Sequence, residues 1–403
     1  MREYLKYLKG DRVIWIITLI MLAFSLVSVY SFVPILVKIE GGTPFKYLFK
    51  HLTYVLIAFG AMFWLHKKDP KYFYKISKFA YYIAFALLLF TFFFGTRVND
   101  AGRWIRIPFV GLTFQSSDFA KLALILTVSR LLVRKKDVLD NWKEGFWPLM
   151  IPIFVICGLI VKDNFSTAAI LFFICLTILF IGRVPMKKMF ILVGGGIVFV
   201  ALIVGLHKIA PQLNLLPRYQ TWENRITNMS EGENDIMANA QALNAQLAIY
   251  NGGVFGQGVG DGKLKEYLPE AYADFYYSSF VEEFGSISSI ILVLLYLILL
   301  FRIMSIGFKS ESMFEMYVCM GIGVLLLVQA SVNMLVCTGT FPVTGQNMPL
   351  LAMGGSALIM TCVEIGIVQS IAYKQNKANG DDLEESELTN NDEELNTFDR
   401  YEN

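Results

Sequence analysis

The sequence predicts an all-α polytopic membrane protein, and three observations carry that prediction: apolar runs of bilayer length, short polar separators, and basic residues gathered on alternate separators. Of 403 residues, 55% are hydrophobic, 14% are aromatic and only 17% are charged, with a mean hydropathy of +0.53. That balance excludes ordinary soluble folds. The cysteines, Cys157, Cys175, Cys319, Cys337 and Cys362, sit widely spaced in or beside apolar runs. Such spacing suits neither a disulfide framework nor a zinc site, so they read as small packing residues. The basic N-terminus, "MREYLKYLKGDR", leads into a run of about 24 apolar residues without a small-residue cleavage pattern, and is expected to be kept as a first span.

With roughly 20 apolar residues per bilayer crossing, ten spans are predicted. They lie near residues 13–36, 51–66, 79–96, 117–133, 147–161, 165–182, 189–207, 279–301, 315–338 and 347–372. An N-in, C-in arrangement gathers the basic residues on the cytoplasmic side. Arg2, Lys6, Lys9 and Arg12 come first, then Lys67, Lys68, Lys71, Lys75 and Lys78, then Arg130, Arg134, Lys135, Lys136 and Lys143. Arg183, Lys187, Lys188, Arg302 and Lys309 complete the set, as the positive-inside rule requires. One long loop, about 208–278, then faces outward between spans seven and eight. Residues 1–374 form the membrane domain, and the acidic, apolar-poor stretch 375–403 is predicted to be a disordered cytoplasmic tail.

This orientation puts the polar motifs at the external ends of spans. In "RVNDAGRWIRIPFVGLTFQSSDFAK" (97–121), Asp118 and Lys121 are three residues apart at a helix entrance and are able to pair; an interfacial anchor with a snorkelling lysine reads the same way. Arg103 and Arg106 flank Trp104 and Ile105, a pattern suited to phosphate as well as to the membrane interface. An alanine-rich stretch, "DIMANAQALNAQLAIYNGG", is predicted to form an amphipathic surface helix. The "GGVFGQGVGDG" that ends the loop helix offers either a cradle for phosphate or sugar, or a hinge. Then come Glu270, Asp274, Glu282 and Glu283, carboxylates beside a membrane span, where they are costly unless partnered or at work.

Taken together, "GQGVGDGKLKEYLPEAYADF", "VEEFG", "AGRWI…FQSSDFAK" and "FPVTGQNMPLLAMGGS" resemble the shape, elongation, division and sporulation (SEDS) family, the membrane proteins of the RodA and FtsW type. The likeness runs from about residue 10 to 372, and "NGGVFGQGVG" and "YLPEAYADF" look more like the division branch than the elongation branch. The resemblance implies an inner-membrane peptidoglycan glycosyltransferase that polymerises lipid II, working at the division septum beside a class B penicillin-binding transpeptidase and other divisome proteins. It implies no nucleic acid and no organic cofactor. The family's external acid falls on Asp274, the expected general base. Its activated sugar hydroxyl would displace a lipid pyrophosphate whose charge Arg103, Arg106, Lys121, and a divalent cation such as Mg or Mn, would balance.

Further expectations concern binding. Glu270 and Trp104 are expected near substrate, and Glu283 or Glu282 is expected to pair with Lys121 or an arginine inside the cleft. Pro342, Gly345 and Pro349 break helix geometry, so the segment reads as an irregular re-entry, with Thr344 and Gln346 as substrate contacts. Two departures from the family pattern stand out. Asp118 replaces the usual glutamate, and "KDNFSTA" puts Asn164 where an aspartate is common, with Asp163 one place earlier. A lipid II flippase and a non-catalytic divisome scaffold are the alternative functions.

Overall fold

The computed structural model describes residues 8–98, 101–106, 113–162, 164–209, 236–268 and 270–398, with the side chains of Arg103, Arg106 and residues from 381 onward outside the described set. Helix starts follow local chemistry. Helix α1 (Arg12–Glu40) begins where the Asp11 carboxylate accepts the N–H groups of Val13 and Ile14, at 2.9 and 3.1 Å, satisfying donors that the helix leaves orphaned. Helices α2 (Pro44–Leu65) and α3 (Pro70–Phe94) each open on a proline, whose missing N–H costs nothing there.

A small antiparallel sheet follows: β1 (Thr96–Val98), β2 (Ala101–Arg106) and β3 (Thr113–Gln115), in that spatial order. This small sheet is an addition to the predicted all-α fold, which is otherwise helical among the described residues. Hairpin-like pairing places Trp104 opposite Gln115 and Arg106 opposite Thr113, so backbone groups between two membrane helices are satisfied by a local ladder. The chain continues through α4 (Ser116–Lys135), α5 (Trp147–Val161), α6 (Phe165–Ile181), α7 (Met186–Ile209), α8 (Ile236–Gly252), α9 (Tyr276–Phe308), α10 (Met313–Cys337) and α11 (Gly355–Phe398).

Seven helical stretches among the described residues are long and apolar enough to cross a membrane: α1, α2, α3, Trp142–Val161, α9, α10 and Gly355–Ala378, with α6 a shorter apolar helix. Large side chains such as Phe45, Phe93, Phe190 and Phe301 lie exposed on the flanks of this bundle, as lipid-facing residues do. Helix α4 is different. It is buried almost throughout, packed against α3, α5, α6, α10 and α11, and a helix surrounded by other helices can carry charge that lipid would reject.

Two further boundaries differ from the sequence reading. The last span starts at Gly355, because residues 339–354 form an irregular segment whose Thr344, Gln346 and Met348 are buried. Beyond Ala378, α11 continues as helix to Phe398 where composition predicts an unstructured tail. Glycines set the closest approach between α2 and α11. A Cβ on Gly355 would lie 2.1 Å from the Tyr54 ring, and one on Gly366 would lie 3.1 Å from Met62 Cα, the small-residue packing on which membrane helices rely.

Helix α9 is interrupted by Gly285, at φ 78° and ψ 176°. In an unbroken helix Ser286 N–H would bond Glu282 C=O, and Ile287 N–H would bond Glu283 C=O. Instead the glycine-rich loop is spliced into that ladder. Gln257 N–H and Gly258 N–H donate to the Glu282 and Glu283 carbonyls at 2.9 and 3.1 Å, while Ser286 and Ile287 donate to Gly253 and Val254 at 2.9 and 3.3 Å. Every broken bond finds a replacement, which is what makes a kink tolerable in an apolar bundle.

Candidate functional site

The splice explains the glycines. A Cβ on Gly252, Gly256 or Gly285 would sit 2.1, 2.2 or 2.4 Å from backbone atoms of the opposing strand of chain, so they are required by close approach. The loop therefore acts as a clasp on α9, neither a hinge nor an open cradle. Its side chains complete the clasp. Lys265 donates to Glu283 Oε1 at 2.5 Å, to Ser31 Oγ at 2.5 Å and to Gly260 C=O at 3.1 Å, and Ser31 also donates to Glu283. Glu282 Oε1 accepts the N–H groups of Lys263 and Leu264, both at 3.0 Å. The expected pairing of Glu283 or Glu282 with Lys121 or an arginine is thus corrected: the clasp brings Lys265 to Glu283 first.

The clasp delivers the chain to a tight turn before α9. Ala273 and Asp274 donate their N–H groups to Glu270 C=O at 2.9 and 3.0 Å, with Glu270 at φ 55°, a left-handed conformation uncommon outside glycine. Asp274 and Glu270 are both partly exposed there. Met353 N–H holds Tyr272 C=O at 2.9 Å, so the acid turn is tied to the irregular segment 339–354. Asn333 of α10 touches both: its Nδ2 lies 3.0 Å from Asp274 C=O and 2.8 Å from Gln346 C=O.

Gln346 leads into a narrow buried polar cleft of about 30 Å³, lined among others by Gln115, Asp118, Lys121, Thr167, Gln329 and Glu364. Gln346 Nε2 donates to Thr167 Oγ1 at 2.7 Å. The predicted Asp118–Lys121 pair is present, at 3.0 Å on one face of α4 and nearly fully buried, and Ser356 donates to the second Asp118 oxygen at 2.8 Å. It is therefore an internal pair and no interfacial anchor. Glu364 on α11 is 3% exposed and within electrostatic reach of both Lys121 and Asp118. Thr344 is buried and its Oγ1 has no hydrogen-bond partner among the described residues.

The remaining predicted site residues sit at the rim or outside the view. Arg103 and Arg106 flank Trp104 on β2, beside Gln115 of the cleft, with their side chains outside the described set. Asp163 also lies outside the described residues. Asn164 caps α6, its Oδ1 accepting Thr167 N–H at 3.1 Å, and so supports the helix that carries Thr167. Among the described residues no group of three or more His, Cys, Asp or Glu side chains comes together to hold a metal.

Three contributors escaped the sequence reading. Glu364 did leave a signal, a lone acid in the apolar run "ALIMTCVEIGIV". Asn333 left a weaker one, an amide amid "QASVNMLVC". Lys265 left none, because its partner Glu283 is 18 residues away. An apolar groove of about 1050 Å³ separates α7 from α5 and α6, lined by residues such as Trp147, Phe154, Phe172 and Gly196.

Comparison with known proteins agrees with the motifs. The FtsW/RodA/SpoVE family model, described as a cell cycle protein, matches residues 11–377. A probable peptidoglycan glycosyltransferase FtsW of Geobacter sp. strain M18 is 31% identical over 373 residues, covering 91% of this chain and 98% of that protein. One of Coxiella burnetii is 29% identical over 375 residues, covering 89% and 96%. A solved chain from a peptidoglycan synthase complex coordinating polymerization and crosslinking superposes with a TM-score of 0.70 at 20% identity, covering 91% of this chain and 98% of that one. Thermus thermophilus rod shape determining protein RodA gives 0.63 at 20% identity, covering 91% and 97%. The resemblance carried by the four motifs is thereby borne out, and the chain belongs to the FtsW/RodA/SpoVE family of cell cycle proteins.

Proposed function

We propose that this chain is a peptidoglycan glycosyltransferase that polymerises lipid II into glycan strands at the division septum, as a ten-span, N-in and C-in protein of the cytoplasmic membrane. Its spans are α1 to α7 and α9 to α11, and the end carrying the clasp and the irregular segment faces outward. The observation that carries this reading is the tie between the turn bearing Asp274 and the segment that lines the Lys121 cleft. A base and an anion-binding wall in one rigid unit are what inverting sugar transfer needs.

The chemistry balances with one carboxylate. The 4-hydroxyl oxygen of the acceptor N-acetylglucosamine attacks C1 of the donor N-acetylmuramic acid while its proton passes to Asp274, a contribution of about 10²–10⁴-fold for a well-placed base. The C1–oxygen bond to undecaprenyl pyrophosphate breaks on the opposite face, and the bonding pair leaves with the pyrophosphate. Lys121, Arg103 and Arg106 meet that negative charge. A divalent cation remains a proposal without a ligand group among the described residues. Its partner is a class B penicillin-binding transpeptidase, which would crosslink the emerging strand. The apolar groove beside α7 suits the polyprenyl chain.

The test separates the function classes. Purified protein with its class B partner is given lipid II in detergent, and the same protein in vesicles is assayed for lipid II translocation. Glycan strands in the first assay support the polymerase. Translocation without strands would favour the flippase, and neither activity would favour the scaffold.

A further inference from the structure

Asn333 does something no neighbouring side chain can. It is 1% exposed near the C-terminal end of an apolar helix, and its Nδ2 lies 2.8 Å from Gln346 C=O, 3.0 Å from Asp274 C=O and 3.2 Å from Ala273 C=O. Its Oδ1 accepts Tyr277 N–H at 3.3 Å, with the Cys337 thiol at 4.0 Å. Three carbonyls around one atom and an N–H on the other fix which end of the amide is nitrogen. Its two amide hydrogens face three carbonyl acceptors, so its donor capacity is used up.

We propose that Asn333 is the positioning residue that fixes the Asp274 turn against the Gln346 wall of the cleft. The proposal rests on Asp274 being the base. Four backbone groups from two separate stretches of chain, residues 273–277 and Gln346, converge on this one side chain, and those stretches carry the base and a wall of the cleft. No other protein side chain among those named offers two donors and an acceptor at that point. An aspartate would turn a lone pair toward the carbonyls, and an apolar residue would leave them unpaired in a dry bundle.

The rest of the segment is anchored independently. Tyr296 O–H donates to Pro349 C=O at 2.5 Å, Ser25 O–H donates to Leu351 C=O at 2.9 Å, and Met353 N–H holds Tyr272. Loss of Asn333 therefore loosens residues 273–274 and 346 relative to one another while the segment stays docked. That is a catalytic misplacement of the base, distinct from unfolding.

The experiment uses the full chain with its class B partner and lipid II, comparing wild type, Asn333→Asp, Asn333→Gln and Asp274→Ala, and the Asn333→Asp/Asp274→Ala double variant, at equal folded amounts. The expected result is a kcat about 10²-fold lower for Asn333→Asp, the scale of a small misplacement, with KM for lipid II unchanged. Asn333→Gln, which keeps the amide one methylene further out, should lose less. On the residual rate of Asp274→Ala, adding Asn333→Asp should cost nothing more, because the two act through one group. Wild-type kcat in Asn333→Asp, or losses that multiply in the double variant, would overturn the proposal while leaving an inactive Asp274→Ala intact. Should Asn333→Asp not fold, the same cycle on Asn333→Gln decides. A fully active Asp274→Ala would instead remove the base reading and this proposal with it.

Discussion

Two buried clusters in this protein have the same titratable inventory, two carboxyl groups and one lysine, and opposite characters. In the clasp, Lys265 meets Glu283, Ser31 and Gly260 C=O, and the second acid, Glu282, is held by two backbone N–H groups. In the cleft, Lys121 meets Asp118, and the second acid, Glu364, faces empty space shared with amides and hydroxyls. Buried charge alone therefore does not mark a reactive site. What distinguishes the clusters is how much binding capacity the fold has already used: the clasp spends most of it on its own side chains and backbone, with Glu282 Oε2 left over, and the cleft keeps some for a ligand.

The contrast can be broken from the clasp side first. Lys265→Met leaves Glu283 buried without its ammonium, and should destabilise the folded protein by about 3–5 kcal/mol, read as a fall in thermal midpoint in detergent. Combining it with Glu283→Leu removes both charges, and most of that loss should return; a double variant as unstable as the single one would mean the pair is needed for more than charge balance. Next in size, Gly256→Ala forces a Cβ to 2.2 Å from Glu283 C=O at φ 83°, costing about 1–3 kcal/mol from backbone strain alone. Glu364→Gln is the smallest change in stability. It should leave the thermal midpoint unchanged or higher, since it replaces a buried carboxyl by an amide of nearly the same shape, yet lower polymerisation. A large stability loss from Glu364→Gln would put the cleft in the same class as the clasp.

The sequence made some of this plain and hid the rest for physical reasons. Bilayer-length apolar runs report spans directly, because lipid permits little else, and Asp118 and Lys121 were legible as a pair because a helix puts positions three apart on one face. The small sheet was hidden: the Arg103, Trp104 and Arg106 pattern reads as a phosphate contact or an interfacial anchor, and only the pairing of Ala101–Arg106 with Thr96–Val98 and Thr113–Gln115 makes it strand. The glycine loop was misread for a related reason. Glycine announces close approach but not what approaches, and here the neighbour is the carbonyl row of a kinked helix some 30 residues on. Glu283 went to Lys265 because that kink had already brought residues 260–265 alongside, a tertiary fact without local trace.

The central claim is that Asp274 accepts the proton of the attacking hydroxyl, and the most direct measurement is the rate of lipid II polymerisation by Asp274→Ala against wild type, with the class B partner present and equal folded amounts. A loss of about 10²–10⁴-fold with lipid II binding retained is the predicted result. Equal rates from the two proteins would contradict it and leave the base to be sought elsewhere in the site.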